Sequence, residues 1–226
     1  MLMRYAEGGP GIQVVLGNHP ISVGSTEALL VASMINLRSF NVGGIGHCSL
    51  GNNGEPLFVQ FCFHQILNEL ASKFSRLNAV SALATGADTV FAECAHRLAI
   101  PLVSVIPFSG FEKDFLDAEA YARYRSIRDT VLLEECLHYN QRTGSAYRKS
   151  MEWVIVKSNL VIAAWDGQCI GSVGGTWEAV SLCDRLGKPM FHINTSKRSL
   201  SLRAGGIDRH GSPKELINDL TMRLLQ

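Results

Sequence analysis

The sequence predicts an α/β chain built on a doubly wound, mainly parallel sheet with helices on both faces. Three observations carry this expectation. Short apolar runs at 77–84, 102–106, 160–164 and 190–193 alternate with segments of helical period. Turns rich in small residues interrupt the chain where several of these runs end. The 226 residues are 46% apolar and 18% charged, which excludes a disordered chain. A chain of this length buries roughly 70% of its unfolded surface, so it folds without staples.

In chain order, 12–16 reads as a short strand, 26–37 as a helix and 39–45 as a second strand. Pro56 opens an amphipathic helix, since proline is tolerated in a first turn. Leu57, Phe58, Phe61, Cys62, Leu67, Leu70 and Phe74 recur there at helical spacing. The strand at 77–84 breaks at Thr85-Gly86-Ala87-Asp88, before a helix with Val90, Phe91, Cys94, Ala95 and Leu98 on one face. Pro107 stops the strand at 102–106. Residues 112–129 read as one or two charged surface helices, 131–135 as a short strand and 136–145 as a loop. A helix through Tyr147, Met151, Val154 and Ile155 leads to the strand at 160–164. After the glycine-rich loop 166–175, a helix from about 176 to 186 closes on Gly187 as its C-cap. The last strand is 190–193, with 195–212 a mobile loop and 214–225 a terminal helix. Residues 1–39 read as an extension that adds an edge strand and a helix, or an oligomer contact, to a ligand-binding domain over 40–226.

Composition removes several functions. Twenty-one basic against twenty acidic side chains leave a net charge of +1. Non-specific nucleic-acid or membrane-surface binding needs a basic excess, so nucleic acid is an unlikely main partner. Cysteines 48, 62, 94, 136, 169 and 183 have neither zinc-knuckle nor redox spacing, and the seven histidines form no metal motif. The chain opens without an apolar signal segment and has no run of about 18 apolar residues. The expectation is a cytoplasmic protein with reduced, mostly buried thiols, no metal, no cofactor and no membrane partner.

In a doubly wound sheet, ligands bind beyond the carboxyl ends of the strands, at a topological switch point. Three turns there are rich in small residues: Gly43 to Ser49, Ala84 to Asp88, and Gly171 to Glu178. Glycine lets a backbone approach closely, and a helix N-terminus offers free N–H groups to a phosphate. Gly174-Gly175-Thr176 is the best such cradle, because a helix starts there and Thr176 adds a hydroxyl. None of the turns is a P-loop or a dinucleotide fingerprint.

These turns, with Ala82 to Glu93, Ile100 to Phe108, Phe111 to Phe115, Trp165-Asp166-Gly167, Gly174 to Glu178 and Gly187-Lys188-Pro189, resemble the SLOG superfamily over about 40–194. That superfamily includes DNA-processing protein A, the lonely-guy phosphoribohydrolases and nucleotide-signal sensors of bacterial antiviral systems. Asn41 to His47 is similar to its first strand, with Cys48 where an arginine often follows Gly-His. The resemblance implies a Rossmann-like fold and a nucleotide or nucleotide-derived ligand, with a sensor role in antiphage defence, a homo-oligomer and an effector protein partner. It implies ligand contacts from Gly46 and His47, from Thr85, Gly86 and Asp88, and from Pro107 and Phe108. Arg148 and Lys149 match its arginine-lysine pair, and Asp166, Gly174, Gly175, Thr176 and Glu178 complete the set.

Two other functions stay open. In a lonely-guy type N-glycosidase, Arg148 would hold the 5′-phosphate and Glu178 would be the catalytic carboxylate that stabilises charge on the ribose. Glu178 sits one position nearer its threonine than an acidic residue of that family. A single-stranded DNA binder of the DNA-processing branch is the third reading. Plainer roles compete at individual residues. Arg148 can pair with Glu152 one turn on, Glu178 can complement a helix dipole, and Asp88 can cap a helix. Trp165 and Trp177 can stack a base or fill a core, while Lys197, Arg198, Arg203 and Arg209 can close over an anion or stay solvated.

Overall fold

Parallel strands are stable when both faces are covered, and the central strands here are apolar enough to need it. The structure, a computed structural model, describes residues 2–5, 12–16, 19–23, 39–50, 55–169 and 173–224. Its strands are β1 (Leu2–Tyr5), β2 (Ile12–Leu16), β3 (His19–Val23), β4 (Phe40–Gly46), β5 (Leu77–Ser81), β6 (Leu102–Ile106), β7 (Leu133–Cys136), β8 (Leu160–Trp165), β9 (Met190–Asn194), β10 (Ser199–Ala204) and β11 (Ile207–His210). The helices are α1 (Glu55–Lys73), α2 (Ala87–Arg97), α3 (Ala118–Arg128), α4 (Gly144–Lys157), α5 (Thr176–Arg185) and α6 (Pro213–Leu224). A short 3₁₀ turn, Phe111–Asp114, precedes α3.

The strands form one sheet in the order β11-β10-β9-β8-β4-β5-β6-β7-β1-β2-β3. From β9 across to β1 every neighbouring pair is parallel. Antiparallel strands extend it at both ends. One core layer packs α1, α2, α3 and α6 on the sheet through residues such as Phe63, Phe91, Tyr124 and Ile217. The other packs α4 and α5 through Met151, Val154, Ile155, Ala179 and Val180.

Close packing at β4 follows from its glycines. A Cβ on Gly44 would fall inside the Phe91 ring of α2, so only glycine lets that helix lie this low on the strand. At the other end of the strands, buried Asn41 organises the polar groups. Its side chain donates to Lys157 O (3.0 Å) and accepts from Asn78 Nδ2 (3.1 Å), while its N–H donates to Asn159 Oδ1 (2.8 Å). These bonds knit β4, β5 and the start of β8 together without leaving a buried polar group unpaired.

Two expectations differ from the structure. Residues 195–212, read as mobile, form the hairpin β10–β11, whose strands pair from Ser201 with His210 to Ala204 with Ile207. Arg203 is held by Asp208 and Asp184, and Arg209 by Asp219. The described part of residues 1–39, read as an edge strand and a helix or an oligomer contact, holds the three strands β1 to β3. The helix expected at 26–37 lies outside the described residues. Strand 102–106 is as expected, and 112–129 divides into the 3₁₀ turn and α3. No disulfide joins any of the six cysteines, and no helix of the described residues is long and apolar enough to cross a membrane.

A buried ion pair fixes α3 to the sheet. Arg128 grips Glu134 of β7 bidentately at 2.7 and 2.8 Å, and Glu134 is 6% exposed. Its guanidinium also lies 5.8 Å from the Tyr124 ring centroid. Removing one partner strands a desolvated charge, which costs more than the pair contributes. Arg128→Met is expected to lower the free energy of unfolding by ~3 kcal/mol in urea titration, and adding Glu134→Leu to restore most of it.

Candidate functional site

The chain runs from β4 outward through β5, β6 and β7, then returns to place β8 on the other side of β4. The turns that leave these strands diverge at that switch point and enclose a cleft of about 550 Å³. One wall is the β4 exit, Gly46-His47-Cys48, with Thr85 and Asp88 from the turn and helix after β5. The opposite wall is the loop Val173-Gly174-Gly175 with the first turn of α5. Phe111, Asp114 and Phe115 from the 3₁₀ region, and Arg142 and Tyr147 from the start of α4, line it as well.

Gly174 has φ +79, and a Cβ there would lie 2.7 Å from the Arg148 nitrogen, so the loop can lie against α4 only as glycine. Gly175 is the N-cap of α5 and has no side-chain cap. Helix geometry leaves the first-turn amides that follow without intrahelical acceptors, with Thr176 among them at the cleft. The Gly174 N–H is different, because it donates to Glu178 Oε2 at 2.7 Å. Glu178 Oε1 lies 2.6 Å from Arg148 Nε, although that N–H is not aligned on it as a hydrogen bond. The carboxylate therefore braces the loop from below, and Arg148 and Glu178 meet each other rather than lining the cleft. The expected i,i+4 partner of Arg148, Glu152, binds Lys149 instead, and Lys149 too lies away from the cleft.

Asp88 does not cap α2. Gly86 is the N-cap, and no side chain closes that end. Asp88 sits in the first turn, 8% exposed, at the floor of the cleft. Burial pushes its carboxyl up to about 7, against hydrogen bonds from the backbone at Ala84 and Gly46 that pull it down. Gly86 itself is not at the cleft surface, since a Cβ on it would collide with the backbone of His47 and Cys48.

His47 reaches Asp166 from across the switch point. Its Nε2 is 3.2 Å from both the Asp166 N–H and Asp166 Oδ1. The Asp166 N–H donates to that nitrogen. Asp166 also accepts from Gln168 N at 2.9 Å, so it closes a turn behind His47 rather than facing the cleft. Pro107 and Phe108 are buried behind the wall. Phe108 packs edge-to-face on Phe111 and Tyr147, two of the aromatic rings that line the cleft. Trp165 is 5% exposed and belongs to the core, and Trp177 stacks on it at 5.7 Å with one edge in the cleft.

Of the residues the sequence singles out, Gly46, His47, Thr85, Asp88, Gly174, Gly175 and Thr176 come together at one surface. The sequence reading passes over Asp114, Arg142 and Tyr147, which form a unit of their own. The Tyr147 hydroxyl donates to Asp114 Oδ2, and Arg142 Nε is 3.3 Å from the same carboxylate. Burial holds the Asp114 carboxyl above its ordinary range, opposed by Arg142. Arg142 is 73% exposed and stands at the mouth of the cleft. A usable signal was its place just before Thr143, which caps α4 by accepting from Ala146 N. That position puts Arg142 at the carboxyl end of the parallel strands.

No protein-family model matches the sequence, and no curated protein matches it. Solved structures do. DNA processing protein A from Helicobacter pylori, described for its single-stranded DNA binding mode, has TM-score 0.56 and 17% identity over 84% of each chain. The molybdenum cofactor binding protein from Rippkaea orientalis has TM-score 0.50 and 14% identity over 84% of this chain and 99% of its own. DNA processing protein A from Streptococcus pneumoniae has TM-score 0.49 and 15% identity over 70% of this chain, which spans about half of that protein, 51%. Identities this low speak to fold alone. The mainly parallel Rossmann-like sheet is the fold this chain shares with the Helicobacter pylori protein.

Proposed function

We propose that this chain binds a nucleotide or nucleotide-derived small molecule in the cleft at the β4–β8 switch point. The observation that carries the reading is the juxtaposition, around one cavity of about 550 Å³, of the Gly174-Gly175-Thr176 helix start with Asp88, Arg142 and the Phe111 and Tyr147 rings. Volumes of a few hundred Å³ suit small-molecule ligands. In this reading the phosphate rests on the first-turn amides and hydroxyl of α5, where the helix dipole favours an anion. Arg142 swings from Asp114 to meet it, and the base and sugar lie toward the aromatic rings and Asp88. The resemblance to sensor proteins supports a cytoplasmic signal receptor in antiphage defence that acts through self-assembly or an effector partner.

Glu178 is committed to Gly174 and Arg148, so a role as the carboxylate of an N-glycosidase requires that pair to open. Single-stranded DNA binding is the second reading, favoured by the fold shared with the Helicobacter pylori protein. The near-neutral charge of the chain weighs toward the small molecule.

A panel of nucleosides, nucleotides and cyclic or linked nucleotides, followed by thermal shift and by release of free base, tests this reading. A bound nucleotide at a hundred times its dissociation constant stabilises the fold by ~2.7 kcal/mol, with no base released. Base release that disappears in Glu178→Ala would establish the glycosidase instead. A gel shift with single-stranded DNA that weakens steeply with salt would establish that second reading. Arg142→Ala is expected to weaken a nucleotide about fivefold, on the order of 1 kcal/mol for an exposed charged contact, and to leave a nucleoside unchanged in the same titration.

A further inference from the structure

Asp88 combines deep burial with a position on a cleft. Its side chain is more than nine-tenths buried and forms part of the cavity floor. The backbone at Ala84 and Gly46 supplies its hydrogen bonds, and among the described residues no cation forms an ion pair with it. The titratable groups that share the cleft come from other elements. They are His47 and Cys48 after β4, Asp114 after β6, and Arg142 and Tyr147 at the start of α4. His47 is held by Asp166, and Arg142 and Tyr147 are held by Asp114. Behind the far wall, Arg148 and Glu178 satisfy each other. On the outer side of α2, Glu93 is held by Arg123 of α3 and by Arg97.

A buried carboxylate without a countercharge is costly, so this site favours the neutral acid. Protonation reverses the group's chemistry, because a carboxylate only accepts hydrogen bonds whereas a carboxylic acid donates one. We propose that Asp88 holds the ligand as the neutral acid, donating its proton to an acceptor oxygen or nitrogen of the sugar or base, so that binding is switched off as the medium turns alkaline. The inference rests on the cleft being the nucleotide site, and it assigns Asp88 as the residue that selects for an acceptor at that place on the ligand.

The 5′-monophosphates of adenosine, guanosine, cytidine and uridine serve as probes between pH 7 and 9, where a phosphate monoester has already lost its second proton (pKa about 6). For a probe that binds at pH 7, affinity falls toward a limiting slope of roughly tenfold per pH unit. Asp88→Asn is neutral and still a donor. It keeps the pH 7 affinity within about threefold and holds it flat to pH 9. Asp88→Ala has no donor and loses about tenfold at pH 7. Affinity that is independent of pH in the unaltered chain, or a fall that persists in Asp88→Asn, overturns the inference and leaves the cleft reading standing. Failure of these four and of the cyclic and linked nucleotides of the panel to bind overturns the cleft reading, and this inference with it.

The ligand-free chain gives an independent measurement. Folded Asp88 keeps its proton up to about 7, while the unfolded chain releases it near pH ~4. The stability this group contributes is therefore fully present below pH ~4 and is lost as pH rises through about 7. Urea titrations across that window should show the decline in the unaltered chain and a flatter profile in Asp88→Asn. An identical slope in both would overturn the proposal whatever the probes do.

Discussion

The bareness of β4 is the constraint on which the site depends. Gly43, Gly44 and Gly46 leave the carboxyl half of this strand with Ile45 as its one side chain, and helices crowd in from both faces. Phe91 of α2 occupies the space above Gly44, Ser158 and Val154 that beside Gly43, and Ala87 with Ala164 that around Gly46. A methyl group at any of these positions meets atoms that are already packed, and packed interiors absorb such insertions poorly. Because both helix layers sit so low on this strand, the loops beyond its carboxyl end come close enough to share one cavity. The cleft is in this sense a product of the packing beneath it.

The charges of the cleft are balanced rather than massed. Asp88 and Asp114 are both shifted toward their neutral forms, Arg142 stands at the rim, and the other nearby ion pairs are closed on themselves. Recognition in such a place depends on placed hydrogen bonds and backbone amides more than on bulk attraction. That agrees with a chain whose total charge is +1. Glu178 illustrates the economy of the arrangement. It takes the Gly174 N–H, and so gives order to a loop that would otherwise offer several loose donors.

Much of this was legible from residue order alone. The apolar runs that became β5, β6, β8 and β9 have little freedom to be anything else, and the turns after them announce the ligand end. What the sequence hid is tertiary. Arg142 looks like any loop arginine until Tyr147 and Asp114 are seen to converge on it. Arg148 has a plausible partner one turn away in Glu152, yet a residue thirty positions on wins it, because α5 starts against α4. Phe108 and Phe111 are three residues apart and equally apolar, and only the 3₁₀ turn decides which ring faces the cavity. The hairpin β10–β11 escaped notice because its strands mix serine and charge, as edge strands do to discourage further pairing.

The order of strands in the sheet has a temporal consequence. β4 pairs with β5 soon after both leave the ribosome, but its other neighbour is β8, where Val42 sits opposite Leu160. Closing that long a loop is entropically slow, and contacts so distant in sequence retard folding generally. Until the late segment arrives, one flank of β4 lies bare, with its amides and carbonyls unpaired and no far wall to the cleft. A nascent chain at that stage has a central strand with an open border, and that border is where a chaperone, or a stray β-strand from another molecule, would find its opportunity.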